Sequence, residues 1–197
     1  MIHLYIMSDS ILHNELPKNL KIKSLDMNIN RGTGAGGRNT NKNGLNYEEF
    51  TDLNNKITIK KHHFNNCSEI VFNCNPNKIF ISTKQAGFLK FMIKYKNINI
   101  NIESGHGCKR PDECYIQLEE KTIFIIEKKF QQKSGSVCEK IQTFPFKIWD
   151  LQRRFPDFKI IYIYCLSDWF KENCKVELEY LRYKKIQYFW GGSKTYK

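Results

Sequence analysis

The chain has 197 residues, 41% of them hydrophobic and 14% aromatic, enough for one well-packed core and too many for a disordered polymer. Its 32 Lys and Arg against 20 Asp and Glu give a formal charge of +12, which favours a polyanionic partner because each neutralised phosphate releases counterions. No run approaches the roughly 20 apolar residues of a membrane helix, and MIHLYIM lacks the cationic start of a secretory signal, so a soluble cytoplasmic protein is expected.

Residues 1–30 mix short apolar groups with Asn, Asp and Lys and predict an N-terminal arm or cap; a single domain is expected over 31–197. The stretch RGTGAGGRNTNKNG (31–44) reads as an irregular loop. Gly32, Gly34 and Gly37 match the dinucleotide fingerprint in spacing, but no buried strand precedes them and no helix opens at the last glycine. DNA contact suits this loop better. Glycines allow close backbone approach, and Arg38, Asn39, Asn41, Lys42 and Asn43 offer donors to phosphates and base edges; a solvated tether is the plain alternative. Leu45, Phe50 and Leu53 then recur at helical spacing.

Strands are predicted at 57–64, 69–73 and 79–82, and a helix at 84–95 from the recurrence of Phe88, Phe91, Met92 and Tyr95. The strict alternation of 96–102 predicts a half-buried strand. Residues 113–118 and 122–131 form a predicted hairpin. Ser136 starts a helix that Pro145 interrupts, with a further helical stretch over 146–154. The apolar run 159–166 reads as a strand covered on both faces. Ser167 or Asp168 caps a last helix over 168–185, and 187–190 closes as a strand. The order predicts an α/β fold with a mixed central β-sheet flanked by helices. Trp149, Tyr162, Tyr164, Trp169 and Trp190 fall in apolar patterns and are expected in the core.

Seven cysteines, at 67, 74, 108, 114, 138, 165 and 174, show no CxxC pair, so free thiols in a reducing compartment are expected. His62 and His63 with Cys67 and Cys74, or His106 with Cys108 and Cys114, fit no standard zinc spacing.

The chemistry concentrates at Arg110-Pro111-Asp112-Glu113 and Ile125-Ile126-Glu127-Lys128-Lys129-Phe130-Gln131. Glu127, Lys129 and Gln131 share one face by strand alternation. The apolar lead-in after Thr122 marks an interior strand, where a carboxylate and an ammonium are not surface decoration. Asp112 starts the antiparallel partner, and a hairpin of that length brings it beside Glu127. Two adjacent carboxylates repel, and a divalent cation with oxygen preference relieves them. Mg²⁺ held by one or two carboxylates keeps several waters, and Lys129 would orient a water or stabilise a phosphate: phosphodiester hydrolysis chemistry. A surface Glu–Lys pair is the bland alternative.

Pro111-Asp112 … Glu127-Lys128-Lys129 resembles the PD-(D/E)xK signature, and its surroundings resemble type II restriction endonucleases of that superfamily. The blocks GTGAGGRNTNKNGLNYEEFT and FQQKSGSVCEKIQT share in the likeness. The resemblance implies a restriction-endonuclease-like core over roughly 44–166 and a Mg²⁺-dependent, sequence-specific double-stranded DNA endonuclease. Asp112 and Glu127 would hold the metal and Lys129 would assist. Glu48, or next Glu49, would reach the site from the first helix, and Gln131 would support it. Glu113 competes with Asp112 for the first carboxylate role. Lys133 and Ser134, in the loop after the catalytic strand, are further DNA-contact candidates; an ordinary turn with Ser136 as cap is compatible with that. A palindromic site implies a homodimer, and a cognate DNA methyltransferase acting on the same site is a possible partner. The rivals are a structure-specific repair or junction nuclease and a non-catalytic DNA-binding module.

Overall fold

Strands form where the sequence alternates or runs apolar, and the computed structural model, which describes residues 40–96, 105–106, 110–132 and 136–192, contains seven of them. The N-terminal arm, the glycine loop up to residue 39 and residues 97–104, which include all of the alternating segment but residue 96, lie outside the described residues. In chain order the elements are α1 (Thr40–Phe50), a 3₁₀ turn (Leu53–Lys56), β1 (Ile57–Phe64), β2 (Cys67–Phe72), β3 (Asn75–Thr83) and α2 (Ala86–Lys96). There follow β4 (Glu113–Gln117), β5 (Thr122–Lys129), α3 (Val137–Ile141), α4 (Phe144–Arg154), β6 (Lys159–Leu166), α5 (Trp169–Asn173), α6 (Lys175–Tyr183) and β7 (Gln187–Trp190).

The strands are hydrogen-bonded in the order β1-β2-β3-β4-β5-β6-β7. From β1 to β5 neighbours are antiparallel. Lys159 N–H donates to Lys121 O and Ser167 N–H to Lys129 O, with the same sequence offset at both ends, so β6 runs parallel to β5. The fold is thus α/β with a mixed seven-stranded sheet flanked by helices. β1 lies at the sheet edge, mostly exposed, and register shifts and Lys60-Lys61 interrupt its outer face.

Several expectations are corrected. The loop expected to run to residue 44 gives way to α1 at Thr40, and this helix buries Asn43 and Tyr47 while Leu45 is 58% exposed. The break expected at Pro145 is present, shifted slightly: α3 ends at Ile141 and α4 opens at Phe144 with Pro145 in its first turn, where its missing N–H leaves no helical bond unmade. The last helix is two, broken at Cys174. Asp168 sits at the N-cap of α5 with no side-chain cap bond; its carboxylate pairs with Lys171 instead.

The chain divides into two compact units, one of residues 53–127 and 143–163, the other comprising, of the described residues, 40–52, 128–132, 136–142 and 164–192. β5 and β6 pass from one to the other at Glu127–Lys128 and Ile163–Tyr164. In the first unit Ile70, Phe72, Phe80, Phe88, Tyr115, Ile116 and Ile123 are buried, with Phe72 against Phe80 and Phe88 against Phe155 edge to face. In the second, Tyr47 packs on Phe130 and its hydroxyl lies 3.6 Å from Cys165 Sγ. Tyr164 donates to Ile141 O, and a methyl group on Gly191 would collide with the Tyr47 hydroxyl.

α4 is unusual in what it buries. Phe144 and Leu151 are inside, but so are Asp150 and Arg154, while Phe146 and Trp149 are 51% and 55% exposed. The expectation of a core Trp149 is therefore wrong; the ring stacks on Phe146 with the Arg153 guanidinium over it. Asp150 is held by Arg154 through two contacts of 2.9 and 3.0 Å, by Arg153 at 3.0 Å and by the Gly105 N–H at 3.0 Å. Burial pushes its pKa up, but these donors outweigh that and hold it below the usual carboxylate value.

A depressed carboxylate pKa stabilises the fold above the unfolded value and loses that contribution as pH falls through the folded one. Asp150→Asn should therefore cost about 3 kcal/mol at neutral pH, since it strands the Arg154 charge. Urea unfolding should show the wild-type and variant stabilities converging as the pH falls below the unfolded value of 3.8. Parallel curves down to acid pH would contradict this origin of the stability.

Candidate functional site

The β4–β5 hairpin sets the geometry of the carboxylates. Its registered pairs run from Gln117↔Thr122 to Glu113↔Ile126. The registered pairs end there, and Asp112 is the bend residue leading into β4; only a continuation of the register by one step would set it across from Glu127. Directly opposed residues share a face, so Glu113 lies with Ile126 on the face opposite that of Glu127. Glu113 is fully buried there and accepts from the Tyr115 hydroxyl, two positions along on the same side. Pro111, just before, is tied down by the Gln85 N–H at 2.8 Å.

β5 is buried from Thr122 to Lys128, as an interior strand should be. Glu127, 8% exposed, accepts from Lys147 Nζ at 2.7 Å on Oε1 and from the Tyr162 hydroxyl at 3.0 Å on Oε2. Neither donor was anticipated. Lys147 stands in the helical stretch expected over 146–154 but was not singled out, and Tyr162 was assigned to apolar packing alone. A tyrosine at an inward strand position two elements from a buried acid was the available signal, because a buried phenol needs a partner.

Lys129 and Glu127 leave β5 on one face by alternation, and Lys129 is half-buried. Lys128 leaves on the other, 6% exposed, and donates to the Glu48 carbonyl at 2.8 Å. This bond anchors α1, in which Glu48 is half-buried and Glu49 exposed. Gln131 is held through its backbone, its N–H donating to Ser167 Oγ and its carbonyl accepting from the same hydroxyl.

Among the proposed DNA contacts, Asn43 is 2% exposed and so is not presented to solvent, contrary to expectation. Asn41 and Lys42 lie in the first turn of α1. Arg38, Asn39, Lys133 and Ser134 lie outside the described residues.

Carboxylates are hard oxygen donors, so Asp112 and Glu127, if they converge, would suit Mg²⁺ or Mn²⁺ rather than a thiophilic ion. Glu127 already gathers positive charge from Lys147, the environment a cation would supply. Among the described residues, the one cluster of three metal-binding side chains is Cys138, Cys174 and Glu177. Its two sulfurs are joined in a disulfide, so it has no thiolate to offer. That bond also corrects the expectation that the thiols are free. Of the others, Cys67 and Cys114 are buried, which pushes Cys67 up to about 11 and Cys114 higher, as inert core thiols. Cys108 lies outside the described residues.

No helix among the described residues is long and apolar enough to cross a membrane. In comparisons with family models, curated proteins and solved structures, nothing matches the chain.

The disulfide joins α3 to the break between α5 and α6 across a sequence separation of 36. Closing a loop of that size stabilises by about 3–4 kcal/mol in the chain-entropy account. Replacing both cysteines by serine should lower stability by that order in urea unfolding, and peptide mapping without reductant should recover residues 138 and 174 cross-linked. Separate, unlinked peptides from freshly purified protein would overturn the pairing.

Proposed function

We propose that the protein is a Mg²⁺-dependent, sequence-specific double-stranded DNA endonuclease with a restriction-endonuclease-like core, resembling type II restriction enzymes. The observation that supports this reading is the hairpin register, which ends at Glu113↔Ile126 and, continued by one residue, would bring Asp112 across from Glu127, on the strand face that Lys129 shares by alternation. Asp112 and Glu127 would hold the metal, which when bound supplies Lewis-acid activation of water and charge neutralisation at phosphate. The chain's own contribution is positional. The interior strand fixes the acid and the amine two residues apart, so their separation is set by backbone rather than by flexible loops.

Lys129 presents a compact ammonium with three donors, suited to orienting the attacking water or stabilising negative charge on the phosphate. Water adds to phosphorus as the bond to the leaving oxygen breaks, and the chain need form no covalent intermediate. The supporting roles expected of Glu48 and Gln131 draw nothing from the geometry: the Glu48 carbonyl is bonded by Lys128, which leaves β5 on the face away from Glu127, and Gln131 is held through its backbone. The formal charge of +12 suits a duplex polyanion, and a palindromic target would call for a homodimer.

Lys129→Ala should cut cleavage of phage or plasmid DNA in Mg²⁺ by about 100-fold or more while leaving binding in EDTA within a few-fold of wild type. Undiminished cleavage by that variant excludes the mechanism. Discrete fragments with uniform ends support site-specific restriction. Cutting confined to branched or mismatched substrates would replace it with a structure-specific nuclease.

A further inference from the structure

A carboxylate that is 8% exposed cannot remain ionised without compensation, and the composition of its surroundings determines what provides it. Glu127 accepts from donors of different kind. Tyr162 gives a neutral phenol on β6, a ring with two rotatable bonds, at 3.0 Å from Oε2. Lys147 gives a full positive charge at 2.7 Å from Oε1, at the end of a flexible four-carbon stem rooted on α4. The ammonium can withdraw by changing rotamer while its helix stays in place; the phenol cannot. A divalent ion bound to the same carboxylate would lie within a few ångströms of that ammonium, and two cations at that spacing repel strongly where water is scarce.

We infer that Lys147 is an exchangeable counter-ion: it neutralises Glu127 while no divalent cation is present and is displaced when one binds Asp112 and Glu127. The inference rests on the metal-dependent reading above and adds its regulation. Lys147 sets the metal affinity of the site, while Tyr162 keeps Glu127 oriented in both states. It is a positioning residue; nothing in its role requires contact with the scissile phosphate. A merely structural ion pair behaves otherwise, because losing its lysine weakens the site along with the fold.

The test uses Mn²⁺ alone, without nucleic acid, on the full chain, with affinity read by calorimetry and stability by thermal melting. Lys147→Gln should melt below wild type without metal, bind Mn²⁺ at least about tenfold more tightly, and gain more in melting temperature from added Mn²⁺ than wild type does. Lys147→Arg, which keeps the charge, should stay within a few-fold of wild type. In the wild-type protein the Lys147 Cε resonance should shift saturably with Mg²⁺, a measurement that stands even if Lys147→Gln fails to fold.

Equal or weaker Mn²⁺ binding by a folded Lys147→Gln, or a Lys147 resonance unmoved at saturating Mg²⁺, overturns the inference and leaves the metal site standing. Tightening by Lys147→Arg equal to that by Lys147→Gln overturns it as well. Absence of Mn²⁺ binding in wild type and variants alike removes the metal-dependent reading and this inference together.

Discussion

An ionised carboxylate withdrawn from water has to find positive charge or hydrogen-bond donors inside the protein, and that requirement explains the composition of α4. Its inward positions, Phe144, Lys147, Asp150, Leu151 and Arg154, recur at three- and four-residue intervals, as a core-facing stripe should. Three of the five are charged. Lys147 answers Glu127, and Arg154 answers Asp150 one turn on, so each charge that enters has its partner from a neighbouring turn or strand. Apolar surface that would ordinarily fill such a stripe is displaced outward, which is why Phe146 and Trp149 face solvent and stack on one another.

The same inversion marks the limit of what could be read in advance. Strands were legible because period-two alternation and continuous apolar runs are properties of the chain alone; β1, β4, β6 and β7 agree to within a residue or so. α4 was legible as a helix but not as to its buried side. Hydrophobic periodicity assumes that charge faces water, and paired charges at 147, 150 and 154 break that assumption. Similarly, α1 buries Tyr47 rather than Leu45, because a phenol reaching Phe130 and Cys165 turns that side of the helix inward and leaves Leu45, two residues away on the other side, exposed. The division of the last helix and the Cys138–Cys174 bond share one cause: a partner 36 positions away cannot be identified among seven cysteines with no paired spacing.

For the carboxylates, the sequence supplied residue types and strand direction, and favoured Asp112 with Glu113 as the alternative. Only register separates them, and register is decided at the other end of the hairpin. There Lys121 takes a left-handed conformation at φ 47° and its N–H closes onto Leu118 O. The Gln117 side chain accepts from the Glu120 N–H within the same turn. These local bonds lock Gln117 against Thr122, and every later pairing follows from that one.

A slip of one residue would exchange the faces of the whole strand. Glu113 would then turn out of its fully buried place beside Tyr115, and Lys128, now bound to the Glu48 carbonyl, would lose its acceptor. The far face of the hairpin therefore carries polar groups satisfied in one register only, and apolar residues on the intervening positions hold it buried. The alignment of β4 with β5 is in this sense enforced from behind: the partners of Glu113 and Lys128 on the far face stabilise it, so residues remote from any chemistry hold the strand that Asp112 leads into and the strand that carries Glu127.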